Sequence, residues 1–190
     1  YKYSSILMTL VSALKGQCYT PISPLAFNIG HDKFLSQLLF QGKNIPMPKA
    51  YIAATSSSGK AILKEVNYPI IFKLPQGTQG KGVLFADSLA SASSILDTLS
   101  VLRQPFIIQE YIETGGSDLR VIVAGDKVIA TMRRVATVGE QRANTHAGGI
   151  GESATIDFKT QQIAIKAAQA LGAEICAIDI LESAKGPVVI

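Results

Sequence analysis

The chain has 190 residues, 47% of them hydrophobic and 17% charged, which suits one large domain or two small subdomains and excludes a disordered chain. Its net charge of +4 comes from 18 basic and 14 acidic residues with no block of like charges, so no basic stripe for nucleic acid exists and anions are favoured only mildly. No apolar run reaches the ~18 residues of a membrane span, and Cys18 and Cys176 match no zinc or redox spacing, so a cytoplasmic protein with reduced thiols and no membrane partner is expected.

Along the chain, Ile6, Leu7, Leu10, Val11 and Leu14 share one face of a helix over residues 4–15 that stops at Gly16. Pro21 and Pro24 mark a connector, and Phe34, Leu35, Leu38 and Leu39 predict a helix over 31–40, ending at Gly42. Pro46 and Pro48 read as a stiff linker and a subdomain boundary. A short strand at 51–53, a helix over 57–66, strands at 70–74 and 82–86 and a Ser88-capped helix to about residue 100 follow. Next comes a strand over 106–112. Residues 118–124 and 127–133 pair across Gly125-Asp126, a hairpin signal. Residues 135–154 have glycines but no periodicity, and a loop this long inside a domain is usually functional. A helix over 160–171 stops at Gly172, and strands at 174–182 and 187–190 flank a turn at Lys185-Gly186. This order predicts an α+β fold with mixed or antiparallel sheets. A strand running into Ile190, and a start at Tyr1, lead to the expectation that both ends belong to something longer.

Polar side chains stand where apolar strands should run. Lys73 ends Ile70-Ile71-Phe72, and the loop after it carries Gly77, Thr78, Gln79, Gly80, Lys81 and Gly82. Burying an ammonium without a partner is costly, and glycines let backbone N–H groups approach an anion. The segment therefore suits nucleotide phosphates; the other reading is a tight hairpin whose lysine reaches solvent. Gln109-Glu110-Tyr111-Ile112 runs into a flexible Glu113-Thr114-Gly115-Gly116, which is either a crossover whose backbone reads an adenine edge or an exposed strand end. Asp118 and Arg120 share one strand face, either for a ribose hydroxyl and an anion or as a surface ion pair. Asp179, set among aliphatics, calls for a bound Mg²⁺ or a basic neighbour. Arg133, Arg134, Arg142, Asn144, His146 and Gly148-Gly149 suit an anion whose charge grows during phosphoryl transfer. His146 is read either as a general base or as a residue that positions its neighbours.

Together, His31-Asp32-Lys33, Phe72-Lys73-Leu74 with Gly77 to Val83, Gln109 to Ile112, Ser117 to Arg120, Arg142 to Gly149 and Ile178 to Leu181 resemble the ATP-grasp superfamily. The resemblance runs from about residue 20 to the end and is nearest to the RimK branch, ATP-dependent ligases that join an amine to a carboxylate. It implies two α+β subdomains with ATP between them. Residues 1–26 would be a remnant of an N-terminal domain, 27–112 a linker helix with the smaller subdomain and its glycine lid, and 113–190 the larger subdomain.

Carried over by residue, the resemblance implies that Lys33 and Lys73 contact phosphates under a lid that includes Gly77, Gln79, Gly80 and Gly82. Glu110, Tyr111 and Ile112 would hold adenine, Asp118 the ribose, and Asp179 a Mg²⁺ ion, with Mn²⁺ as a substitute. Arg142 and Asn144 would face the phosphates, with Arg120 and Arg133 nearer the acceptor carboxylate. The implied reaction adds an amino acid such as glutamate to the carboxylate of a protein, peptide or small acid through an acyl phosphate, by positioning and charge neutralisation. A glutathione-synthetase-like or amino-group-carrier ligase, and a non-catalytic nucleotide-binding module, are the alternatives; a homo-oligomer is the family expectation. Two departures stand out. The family's Glu-x-Asn after the Asp179 strand does not occur before Ile190, so weak ATP binding without turnover is expected of these residues alone. Ala147 also stands where RimK proteins often show Arg, which bears on the acceptor contacts.

Overall fold

β-Branched and aromatic residues at alternating positions build two sheets in this chain, whose computed structural model describes residues 4–75, 81–137 and 149–190. The first elements are α1 (Ser4–Leu14), α2 (Pro24–His31), α3 (Lys33–Gly42), β1 (Ala50–Ala53), α4 (Ser56–Leu63), β2 (Ile70–Lys73) and β3 (Val83–Ala86). They are followed by α5 (Leu89–Val101), β4 (Phe106–Glu110), β5 (Ser117–Ala124), β6 (Lys127–Val135), β7 (Ile150–Ser153), α6 (Phe158–Leu171), β8 (Ile175–Ser183) and β9 (Gly186–Val189). Two units form, Pro48–Glu113 and a larger one joining Tyr1–Met47 to Thr114–Ile190. No helix among the described residues is long and apolar enough to cross a membrane.

The smaller unit is a four-stranded sheet in the order β1-β4-β2-β3. Ile70, Phe72, Phe106 and Ile108 are buried on one face and form a core with Leu63, Ala92, Leu96 and Leu99 of α4 and α5. Both helices begin with a reciprocal cap, Thr55 with Ser58 and Ser88 with Ser91, which satisfies otherwise orphaned N–H groups. Gly59 lets α4 come close: a Cβ there would lie 2.6 Å from Leu96 Cδ1 and 3.0 Å from Phe106 Cζ.

The larger unit is a five-stranded sheet in the order β7-β6-β5-β8-β9. Leu119, Val121, Val123, Ile178, Ile180 and Val189 form its buried face, against Ile163, Ala164, Ala167 and Ala168 of α6 and against Phe40 and Ile45. Asp157 caps α6 by accepting the Thr160 N–H at 2.7 Å, and Gly172 ends the helix in the left-handed region at φ +69°.

Every strand pairing among the described residues is antiparallel, as an α+β fold built on hairpins requires. Four details differ from the sequence reading. Pro24 does not break the chain but opens α2, where its missing N–H is no loss, behind the Ser23 cap. β6 continues to Val135, so Arg133 and Arg134 are strand residues, and β7 lies inside the segment expected to be a loop. Residues 27–47, grouped by sequence with the smaller subdomain, belong to the larger unit. Gly77, Gln79, Gly80, Arg142, Asn144 and His146 lie outside the described residues.

Candidate functional site

In the larger unit, strand alternation separates two chemistries on β5. Leu119, Val121 and Val123 point into the core, and Asp118 and Arg120 share the other face. Register then places Asp118 opposite Arg134 on β6, and Arg120 opposite Asp179 on β8. Asp118 accepts from Arg134 Nε at 2.6 Å and from its Nη2 at 2.7 Å. Asp179 accepts from Arg120 Nε at 2.8 Å and from its Nη2 at 2.7 Å. A contact of 3.1 Å from Arg134 Nη2 to Asp179 Oδ2 joins the pairs into one chain, Asp118–Arg134–Asp179–Arg120, across three strands.

This chain of charge has a buried end and an open end. The side chains of Arg134 and Asp118 are 4% and 10% exposed, and those of Asp179 and Arg120 are 25% and 40% exposed. Burial pushes the Asp118 carboxyl above the ordinary aspartate value, against the pull of Arg134. Burial also works against the Arg134 charge, but the carboxylates of Asp118 and Asp179 hold its pKa above the usual arginine value. Formal charges cancel, two against two, among these four side chains.

Arg133 does not join this set. It stands opposite Leu119, on the other face, where its Nη1 donates to Glu182 Oε2 and, at 3.3 Å, to Ser117 Oγ. Arg120 and Arg133, both expected nearer the acceptor carboxylate, thus lie on opposite faces of this sheet, and Arg134 shares the face of Arg120. Asp118, read as a ribose contact, keeps both oxygens on Arg134 and is almost closed to solvent.

Lys33, also in the larger unit, is the first residue of α3, behind Asp32, whose Oδ1 accepts the N–H groups of Phe34 at 2.8 Å and Leu35 at 3.1 Å. Burial holds the Lys33 ammonium below the ordinary lysine value, and the charge of Asp32 only partly offsets this.

In the smaller unit, Lys73 ends β2, opposite Val83 on β3 and Ile107 on β4. It shares with Ile71, Phe85, Ile107 and Gln109 the sheet face turned away from the α4/α5 core. Tyr111 packs edge-on against Phe85, with ring centroids 5.3 Å apart. Ile112 is half-buried. Gly82, at φ +76°, accepts the Leu74 N–H at 2.9 Å and closes the glycine-loop hairpin. Glu110 is tied elsewhere: its Oε1 accepts the Lys49 N–H at 2.8 Å, and its own N–H donates to the Lys49 carbonyl at 2.9 Å. Gln109, which heads this segment but is given no role by the sequence, is buried.

A divalent cation can be tested against these donors. No group of three or more His, Cys, Asp and Glu side chains gathers among the described residues. The two hydrogen bonds from Arg120 and the 3.1 Å ion-pair contact with Arg134 leave Asp179 part of its acceptor capacity. That fits Mg²⁺ held by one carboxylate, with phosphates and waters completing its shell, and does not fit an all-protein cage.

Residues 30–190 match the model of the RimK-like ATP-grasp domain. The chain belongs to this family. It is 39% identical over 169 residues to a probable alpha-L-glutamate ligase of Mannheimia succiniciproducens, covering 88% of this chain and 56% of that protein. It is 38% identical over 167 residues to the ribosomal protein bS6–L-glutamate ligase of Salmonella paratyphi B, covering 87% of this chain and 56% of that one. The chain thus spans little more than half the length of these relatives. The crystal structure of a RimK domain ATP-grasp protein from Sphaerobacter thermophilus superposes with a TM-score of 0.72 at 20% identity, covering 88% of this chain and 60% of that one. The fold is the α+β ATP-grasp fold.

Proposed function

We propose that this RimK-like protein is an ATP-dependent carboxylate–amine ligase that adds an amino acid, glutamate foremost, to the carboxylate of a protein or peptide. Relatives named as glutamate ligases support the reaction class. The observation that carries the site is the charge chain ending at Asp179 and Arg120, whose open end offers one carboxylate and one guanidinium on a single sheet face.

In this reading, the ammonium groups of Lys73 and Lys33 bind phosphate oxygens. Gly77, Gln79, Gly80 and Gly82 cover the phosphates, and Arg142 and Asn144 face them. Tyr111 and Ile112 border the adenine. Asp179 would hold Mg²⁺, which when bound draws charge from the phosphates and exposes the γ-phosphorus. The guanidinium of Arg120 exchanges Asp179 for the acceptor carboxylate, which its fork then orients bidentately. An oxygen of that carboxylate bonds to the γ-phosphorus as the bond to ADP breaks, giving an acyl phosphate. The amine nitrogen of the amino acid then bonds to the acyl carbon, losing a proton, and inorganic phosphate leaves. The protein contributes alignment and charge neutralisation, with no covalent bond to itself.

Incubating the full-length protein with Mg-ATP, glutamate and acidic acceptor peptides tests this. The expected result is a glutamyl mass gain on a peptide, with one ADP formed per residue added. ATP turnover that never transfers an amino acid to any carboxylate would contradict it.

A further inference from the structure

We infer that Arg134 is a positioning residue: anchored by Asp118 from below, it fixes the Asp179 carboxylate in the orientation that receives a divalent cation. This rests on the metal reading of Asp179 given above. Arg134 is 4% exposed, so it is withdrawn from any ligand, and its Nε and Nη2 edge lies flat on Asp118 at 2.6 and 2.7 Å. The same Nη2 reaches Asp179 Oδ2 at 3.1 Å. Arg120, the other guanidinium on Asp179, is 40% exposed and is free to exchange its partner for an incoming anion. Were Arg120 to leave, Arg134 would be the cation still holding Oδ2.

The arrangement has the logic of an outer shell around a metal ligand, in which a fixed charged neighbour restrains one oxygen of the ligand. The strand register explains why Asp118 serves as anchor. It stands directly opposite Arg134 with both oxygens committed, which prevents the buried guanidinium from turning elsewhere. An ion pair that merely stabilised the sheet would have no need to reach Asp179.

The test uses Mn²⁺ as a spectroscopic probe of the full-length protein with a non-hydrolysable ATP analogue. Arg134→Lys keeps the charge but loses the fork, and Asp118→Asn keeps the shape but loses the anchor. Either variant that retains wild-type circular dichroism suffices. Mn²⁺ affinity should fall about 10–100-fold, with a changed electron paramagnetic resonance line shape that a purely structural role would not produce. Asp179→Asn calibrates the site. If Asp179→Asn loses the ion but a folded Arg134→Lys or Asp118→Asn protein binds it as wild type does, Arg134 plays no positioning part. If Asp179→Asn itself binds Mn²⁺ normally, the metal reading falls and this inference falls with it.

Discussion

Arg120 and Asp179 face each other across β5 and β8, joined by two hydrogen bonds of 2.8 and 2.7 Å. Two residues back along β5, Asp118 makes the same two-pronged contact with Arg134 of β6, with far less exposure to water. Solvent should separate the two energetically. Arg120→Met is expected to lower stability by no more than about 1 kcal/mol, because the pair is screened. Arg134→Met should cost about 3–5 kcal/mol, because it leaves a carboxylate buried and unpaired. Urea midpoints of the two variants compare them directly, and equal losses would show that burial does not govern this network.

Lys73 ends β2 half-exposed, outside the buried core, so its removal should leave the fold intact. Lys73→Ala should weaken ATP binding by about 1.5–3 kcal/mol, the worth of a charge-assisted hydrogen bond. Calorimetric titration beside a far-ultraviolet spectrum reads both quantities. Unchanged affinity in a folded variant would remove Lys73 from the phosphate site.

Gly59 offers a test of packing away from the chemistry. Alanine favours a helix by up to about 1 kcal/mol over glycine, yet here its Cβ would sit 2.6 Å from Leu96 Cδ1. Overpacking typically costs about 1–3 kcal/mol, so Gly59→Ala should lower the melting temperature. A rise would mean that α4 and α5 can move apart freely.

The cap of α6 should give the stability a pH dependence of definite sign. Hydrogen bonds from the Thr160 side chain and backbone hold Asp157 below the ordinary aspartate value. A carboxyl depressed in the folded state stabilises above its unfolded pKa, and that contribution is lost as pH falls through the folded value. Wild type should therefore exceed Asp157→Ala in melting temperature at pH 7. The gap should close as the pH drops below the ordinary aspartate range, and a gap independent of pH would refute the charged cap.

Much of this architecture was legible because apolar alternation and capping residues are local signals. Leu119, Val121 and Val123 marked the core face of β5, and Asp118 and Arg120 its polar face. Register was not legible. Counting back from the Gly125-Asp126 turn pairs Asp118 with Arg133, but a bulge shifts the ladder between Ile122 and Val123 and leaves Ile129 opposite no residue of β5. One extra residue turns every later side chain of β6 to the other face, which brings Arg134 into the site and sends Arg133 to Glu182. β7 escaped notice for another reason: all four of its residues are exposed, so this edge strand has no buried face to print an alternation. The Asp179 motif showed a carboxylate in an apolar strand but not that two arginines meet it, because those contacts join residues 45 and 59 positions away.

Amide-bond formation driven by ATP, as proposed, would be read in ADP release by the full-length protein with Mg-ATP across a panel of amino acids and acidic acceptors. Release should depend on one amino acid, glutamate foremost, together with a carboxylate acceptor that gains the matching mass. ADP release at the same rate with and without every amino acid and acceptor would contradict it.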